Sequence, residues 1–419
     1  MSTLSGGLYA PIVLAGVAVI TYGLSYLLNV SADSKYIYFV GRISVPVALL
    51  SIVLLNINGL IGTLTGSVDV TQQSYVLLLA APFYFLSAAA FVSDIALRKL
   101  PLPSFLDYMT YLTLPFKLLA GPLEAPRLLG KIEKLRPRFT WWRFSAAWPW
   151  IALGLVMKFV IANRLFPSNN IANTQPFAVI ITATIFELKF YFDFAGYSFI
   201  GYGAALACGL PMNQNFCHPF FAPNVVVFWR RWHMSLGRFL SRYILEPNLS
   251  FFTSRTTKII FASGIFFVSA LWHGGTANYV LWGLFHATCY FGYVQYMKRK
   301  SISRLVGGIA MILFFVLGRF LAIDSDTSRL FEKIGFLFSN PFLASSDPNY
   351  LVFTYDLARS EIKALVLACV FLALEAVSLR LYTVNRAYHL FRKPLPALGL
   401  LVFFLFYGID SGVLLYARI

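Results

Sequence analysis

Charge is what this sequence has least of. Of its 419 residues only 12% are charged, about half of the roughly 25% that an ordinary soluble domain carries. With 58% hydrophobic and 17% aromatic residues beside it, so little charge excludes a conventional water-facing surface. The four cysteines, Cys208, Cys217, Cys289 and Cys369, are scattered and form no CxxC pair. That excludes a disulfide framework and a zinc site of the usual spacing, so no metal role is expected. Also missing are a GxSxG elbow, a Walker loop, an HExxH pair and any cluster at metal-ligand spacing. Soluble-type hydrolases, phosphoryl transferases and zinc peptidases lose their usual signatures with them.

Acidic residues are scarcer than basic ones, 17 against 34, for a net charge of +17. In a soluble chain that balance would raise the question of nucleic acid. Here the basic residues gather in short loops between apolar runs, as the positive-inside rule describes, and no nucleic-acid motif with interleaved aromatics is present. No nucleic-acid partner is expected.

What the sequence has in abundance is apolar runs near the 20 or so residues that a membrane-crossing helix needs. Ten candidate spans fall at residues 8–30, 43–62, 75–97, 144–162, 177–197, 258–274, 279–296, 305–323, 362–381 and 397–416. The expected fold is an all-α polytopic membrane protein, one membrane domain over 1–419, multi-pass in the cell membrane with lipid around it. The first span lacks a basic leader and is longer than a signal peptide's apolar core, which predicts a retained helix. Lysine and arginine bias puts 98–143, 230–242, 298–304 and 386–393 on the cytoplasmic side. The segments near Asp69 and Asn169, and 324–361, are then extracytoplasmic.

Two intervals do not fit simple crossings. Between 197 and 258 both ends come out cytoplasmic, although the interval holds an apolar piece at 201–210, then Pro211, Pro219 and Pro223, then the run FWRRWHMSLGRFLSRYIL. Irregular backbone at membrane depth is tolerated only where protein or a wet cavity covers it, so re-entrant or in-plane helices are expected. Residues 101–126 are apolar but broken by prolines, with Asp107, Lys117 and Glu124 inside. Two half-helices are expected there.

Ionisable residues within apolar spans are expensive, and each is a candidate functional group. There are five histidines: His218, His233, His273, His286 and His389. His273 stands at the outer end of a span, with Trp272 as an apolar wall and two following glycines that permit close approach. A neutral imidazole in such a place can take a proton from an alcohol, the step that acyl transfer to a hydroxyl requires. The bland alternative is a satisfied polar residue between helices. His233 lies among Arg230, Arg231, Arg238 and Arg242, either on an interfacial helix facing anionic headgroups or at a cationic mouth for a phosphate-bearing donor. Asp193, at the end of an apolar helix, could neutralise a buried lysine or arginine or orient a histidine; a structural ion pair is slightly favoured. Glu187 and Lys189 suggest no partner.

Three motifs carry a family resemblance: YFDFAGYS at 191–198, NFCHPFFAPNVVVFWRRWHMSL at 215–236 and LWHGGTANYVLWGLFHA at 271–287. They resemble the membrane-bound O-acyltransferases, especially the bacterial branch of alginate O-acetylases and teichoic acid D-alanyl transfer proteins. LLAGPLEAPRLLG at 118–130 and GRFLAIDSDTSRLFEKIGFLF at 318–338 agree in order, so the likeness covers about residues 75–340.

The resemblance implies a ring of about ten to eleven tilted helices, with re-entrant and in-plane helices around a central tunnel. It implies that His273 is the family's near-invariant histidine, acting as general base on the acceptor hydroxyl or otherwise assisting transfer, His233 its second histidine and Asp193 the aspartate of a YxDFSGYS-type motif. Substrate would meet Arg230, Arg231, Trp232, Trp272 and Asn278 within these motifs, while His218 is assigned no role. It further implies no tightly bound cofactor, an acyl thioester donor (acetyl-CoA or a phosphopantetheine-linked carrier protein) and an extracytoplasmic partner acyltransferase. The leading expectation is acetylation of an exported polysaccharide. D-alanyl transfer to teichoic acid is the alternative within the class, and a transporter or flippase the alternative outside it.

Overall fold

The structure, a computed structural model, describes residues 3–31, 35–65, 75–118, 121–135, 140–165, 176–210, 212–273, 276–297, 303–322 and the short stretches 330–331, 334–335, 365–373 and 375–376. Among the described residues there is no strand. Helices are the open-ended element that satisfies its own backbone, which is what apolar surroundings demand.

Helices α1 (Thr3–Val30), α2 (Lys35–Thr65) and α3 (Tyr75–Ala96) match the first three expected spans. Large apolar side chains on α1 and α2 point outward, Ile20 at 70% exposure and Phe39 at 60%. Inward, the Tyr84 hydroxyl of α3 donates to the Leu14 carbonyl of α1 at 2.9 Å. Residues 35–54 and 141–164 are long and apolar enough to cross a bilayer by length and composition, and shorter apolar helices lie at 14–30, 82–96 and 306–322.

The proline-broken interval holds α4 (Phe105–Thr113) and the four-residue α5 (Pro115–Leu118), followed by α6 (Leu128–Leu135). Ser104 caps α4 by accepting from the Asp107 amide at 3.2 Å, and Leu114 leaves helical geometry before Pro115, as a pre-proline residue tends to. Two of the three charges inside this interval, Lys117 and Glu124, are buried and occupied, whereas Asp107 is exposed. Lys117 lies 3.5 Å from the Tyr111 ring centre and donates to Ser87 Oγ at 3.3 Å. Glu124 accepts from the backbone and side-chain amides of Asn213 at 2.5 and 2.7 Å.

Helix α7 (Trp141–Leu155) runs on through a π-helical turn, Val156–Ile161, and crosses α8 (Pro176–Ala207) almost backbone to backbone. A Cβ on Gly154 would lie 2.5 Å from the Gly196 carbonyl oxygen, so only glycine permits the approach. At this crossing Lys158 is buried in an ion pair with Asp193. Helix α8 also corrects one expectation: the apolar piece at 201–210 is its continuation and not a separate half-crossing element. Nothing interrupts the helix until Gly209, whose φ of +81° and the Leu210 amide's bond to the Ala205 carbonyl at 2.8 Å end it.

Between α8 and the next long helix lie only short elements: α9 (Val225–Arg231), α10 (Met234–Leu240), a π-helical turn at Ser241–Leu245 and α11 (Glu246–Asn248). Seven residues rise only about 10 Å, so neither α9 nor α10 crosses a bilayer by itself. Arg242 and Tyr243 fasten this run to α3 through Asp94, both contacting its Oδ2 at 3.0 Å. Helices α12 (Arg255–His273), α13 (Ala277–Gly292) and α14 (Arg304–Ala322) follow. Of the span expected at 362–381, residues 365–373 and 375–376 are helical; the span at 397–416 lies outside the described residues, as does His389.

Candidate active site

Helices α8, α9, α10, α12, α13 and α14 enclose a cavity of about 460 Å³. Its wall on α12 extends from Ala262 to His273, a rise of about 16 Å at helical pitch. The lining is mostly apolar and rich in aromatic rings, with polar groups at a few points. That is the usual character of a site that orients a small ligand by few contacts.

His273 is the last residue of α12, and its ring meets Trp282 of α13 edge to face at 6.2 Å between centres. It is partly exposed, and it lines the cavity. His286, one turn further along α13 than Trp282, is buried between Trp282 (4.4 Å), Phe314 (4.8 Å) and Trp229 (5.1 Å). Its Nδ1 has no hydrogen-bond partner among the described residues.

His233 sits at the elbow between α9 and α10, with backbone φ +42° and ψ +52° in the left-handed region. Asn215 holds the chain just beyond the elbow, its carbonyl accepting from the Met234 amide at 2.8 Å while its side chain donates to Ser198 of α8 at 2.9 Å. Ser235 Oγ accepts from the Leu123 amide at 2.8 Å. The buried His233 ring stands edge-on to Phe194 at 4.8 Å, and neither of its nitrogens has a hydrogen-bond partner among the described residues. A polar ring fixed by its backbone, with its nitrogens unclaimed, is available to a guest.

Arg230 and Arg238 line the cavity and are exposed, which marks an opening. Arg231 turns away, donating to the carbonyls of Phe221 and His218 at 3.2 and 3.4 Å. The basic pair at the opening is therefore Arg230 with Arg238 and not the sequence neighbours Arg230 and Arg231, because successive helical residues point about 100° apart.

Of the residues singled out in sequence, the structure brings His273, His233, Arg230 and Trp232 together in one wall. It places Asp193 on Lys158, on the α7-facing side of α8, outside the lining. Asn278 is fully buried beside the cavity without lining it. Trp272 lies on α12, but its side chain lies outside the described residues. Residues that sequence reasoning passed over also line the wall. Arg319 of α14 donates through Nε to Glu187 Oε2 at 2.5 Å, and Tyr279 joins them. One signal was available, because Arg319 is the sole charge in α14 beyond its first residue.

No group of three or more histidine, cysteine, aspartate or glutamate side chains suited to a metal ion occurs among the described residues. The arrangement is one of acid–base and hydrogen-bonding groups in a cavity rich in aromatic rings.

The pattern of the MBOAT, membrane-bound O-acyltransferase family, matches residues 71–316. The chain is 28% identical over 195 residues to the peptidoglycan O-acetyltransferase of Helicobacter pylori, covering 44% of this chain and 36% of that protein. It is 27% identical over 245 residues to a probable alginate O-acetylase of Pseudomonas fluorescens, 54% of this chain and 49% of the relative. To the teichoic acid D-alanyltransferase of Bacillus subtilis it is 28% identical over 164 residues, 36% of this chain and 42% of that one. The chain thus spans less than half the length of these relatives.

Proposed function

Because the chain belongs to the membrane-bound O-acyltransferase family, we propose that it transfers an acyl group, acetyl in the first instance, from a cytoplasmic thioester to the hydroxyl of an exported cell-envelope polysaccharide. The observation that carries this is a single cavity lined both by His273 and by the Arg230–Arg238 opening. A thioester donor such as acetyl-CoA is phosphate-rich, and guanidinium groups at an opening suit its phosphates. Its acyl end can reach inward past His233. At His273 the acceptor hydroxyl gives its proton to the imidazole as its oxygen attacks the thioester carbon, and the thiol departs with a proton from the imidazole. In this reading Trp232 walls the cavity, and Asp193 and Asn278 hold helices α8 and α13 in place beside it.

The protein is then a multi-pass component of the cell membrane, its helices forming a ring of about ten to eleven crossings. The acceptor hydroxyl at His273 is either the polymer's own or that of an extracytoplasmic partner acyltransferase, which then completes delivery to the polymer. D-alanyl transfer from a phosphopantetheine carrier protein is the second reading, favoured by the D-alanyltransferase relative; the same cavity serves it, with Arg230 and Arg238 meeting one phosphate instead of several.

The test is the ester-linked acyl content of the envelope, released by mild base and identified by mass spectrometry. A deletion strain is complemented with wild type or His273→Ala at matched expression. An acetyl or alanyl ester restored by wild type alone supports the reading and names the donor class. Equal restoration by both removes His273 from the chemistry.

A further inference from the structure

The cavity that His273 lines also carries a cation that the proton-transfer step does not use. Arg319 is buried, its guanidinium lies 4.4 Å from the Phe190 ring centre, and its Nε is engaged by Glu187. Its two terminal nitrogens make no hydrogen bond to any described residue, and the residue lines the cavity. Helix α13 gives the relative level: His273 packs against Trp282, and Gly318 against His286, where a Cβ would be 3.0 Å from Nε2. Those two levels are separated by about 6 Å of helical rise, within the reach of an arginine side chain.

We propose that Arg319 is a catalytic residue: its terminal N–H groups stabilise the oxyanion that forms on the carbonyl of the transferred acyl group, with Glu187 as the positioning residue that aims it. The inference rests on the acyl-transfer reading above. When the acceptor oxygen bonds to the carbonyl carbon, its proton goes to His273 and the carbonyl electron pair moves onto oxygen. That oxygen becomes the anion that Arg319 meets. As the pair returns, the carbon–sulfur bond breaks and the thiolate takes the proton from His273. The pairing with Glu187 matters to the assignment. A guanidinium already compensated by a carboxylate holds a ground-state anion weakly, yet its fixed donors need no reorganisation when charge appears on the acyl oxygen. It therefore suits a transient charge better than a bound substrate.

The experiment follows the rate at which mild-base-releasable ester appears in the envelope after induction of the full chain in the deletion strain. Each variant is matched for expression, and its melting temperature is measured after purification. Arg319→Gln combined with Glu187→Gln removes both charges and leaves no orphaned carboxylate; it is expected to lose about 10²–10³-fold in rate. Arg319→Lys keeps the ion pair, folds as wild type and loses about tenfold, because an ammonium lacks the two-nitrogen fork. A double variant within about threefold of wild type, or an Arg319→Lys variant within the same range, overturns the assignment and leaves the pair as a helix clamp, since a removed oxyanion donor costs far more. If the double variant melts early, Arg319→Lys alone decides. A wild type that restores no ester removes the acyl-transfer reading and this inference together; a wild type that restores it beside a normal Arg319→Lys removes only the inference.

Discussion

Two kinds of arginine line one cavity. Arg230 and Arg238 are exposed, and among the described residues neither has a carboxylate within ion-pair distance. Arg319 is buried, paired with Glu187 and stacked near Phe190. An exposed, uncompensated cation attracts an anion over a distance set by salt, and lets it go again. A buried cation survives desolvation only through its partner, and in return its direction is fixed. In the proposed reading the difference divides the labour of the site: capture at the opening, orientation near His273.

That division can be broken at several points. The largest effect is expected from His273→Ala, which should cut ester formation by about 10²–10⁴-fold, the usual worth of a general base, with donor capture at the opening unchanged. Should the acyl content of the envelope stay near wild type, the chemical end has been misplaced. Next comes the rule that buried charges need partners. Lys158→Met alone orphans Asp193 and should destabilise the protein by about 3–5 kcal/mol, whereas Lys158→Met with Asp193→Leu should recover most of it; melting temperatures in detergent of the two variants compare them. A double variant no better than the single would mean that the pair does more than neutralise itself. Gly154→Ala places a methyl against the Gly196 carbonyl and should cost about 1–3 kcal/mol as overpacking. The same melting experiment reads it. The smallest effect is expected at the opening, where Arg230→Gln or Arg238→Gln should raise the donor concentration needed for half-maximal rate by about tenfold at low ionic strength and far less at high salt. A salt-independent defect would place these side chains in the interior work and erase the contrast.

Much of this was legible in the residues themselves. Apolar run length located most of the helices, and the scarcity of charge drew attention to His233, Asp193 and Glu187, though not to the equally buried Lys158 and Arg319. His273, His233 and Arg230 were named from their motifs and share a wall. What was not legible followed from contacts between distant segments. Glu187 looked partnerless because Arg319 is 132 positions away. Asp193 found Lys158 through a π-helical turn that no hydrophobic pattern announces. The 201–210 piece was read apart from the span at 177–197, whereas it continues α8, where Gly203 sits against Ile151 and lets the helices approach. Arg231 was grouped with Arg230 by adjacency, although a helix turns neighbours apart.

The left-handed backbone at His233 has a bearing on how that position is to be engineered. Histidine there meets two demands at once, a backbone angle that most residues adopt at a cost of about 1–2 kcal/mol and a ring that faces the passage. Alanine removes the ring but retains the strain; glycine removes the ring and relaxes the elbow. The two replacements are thus not equivalent deletions, and the difference between them measures how tightly the bend itself, apart from any imidazole, holds α9 and α10 in register with the passage they line.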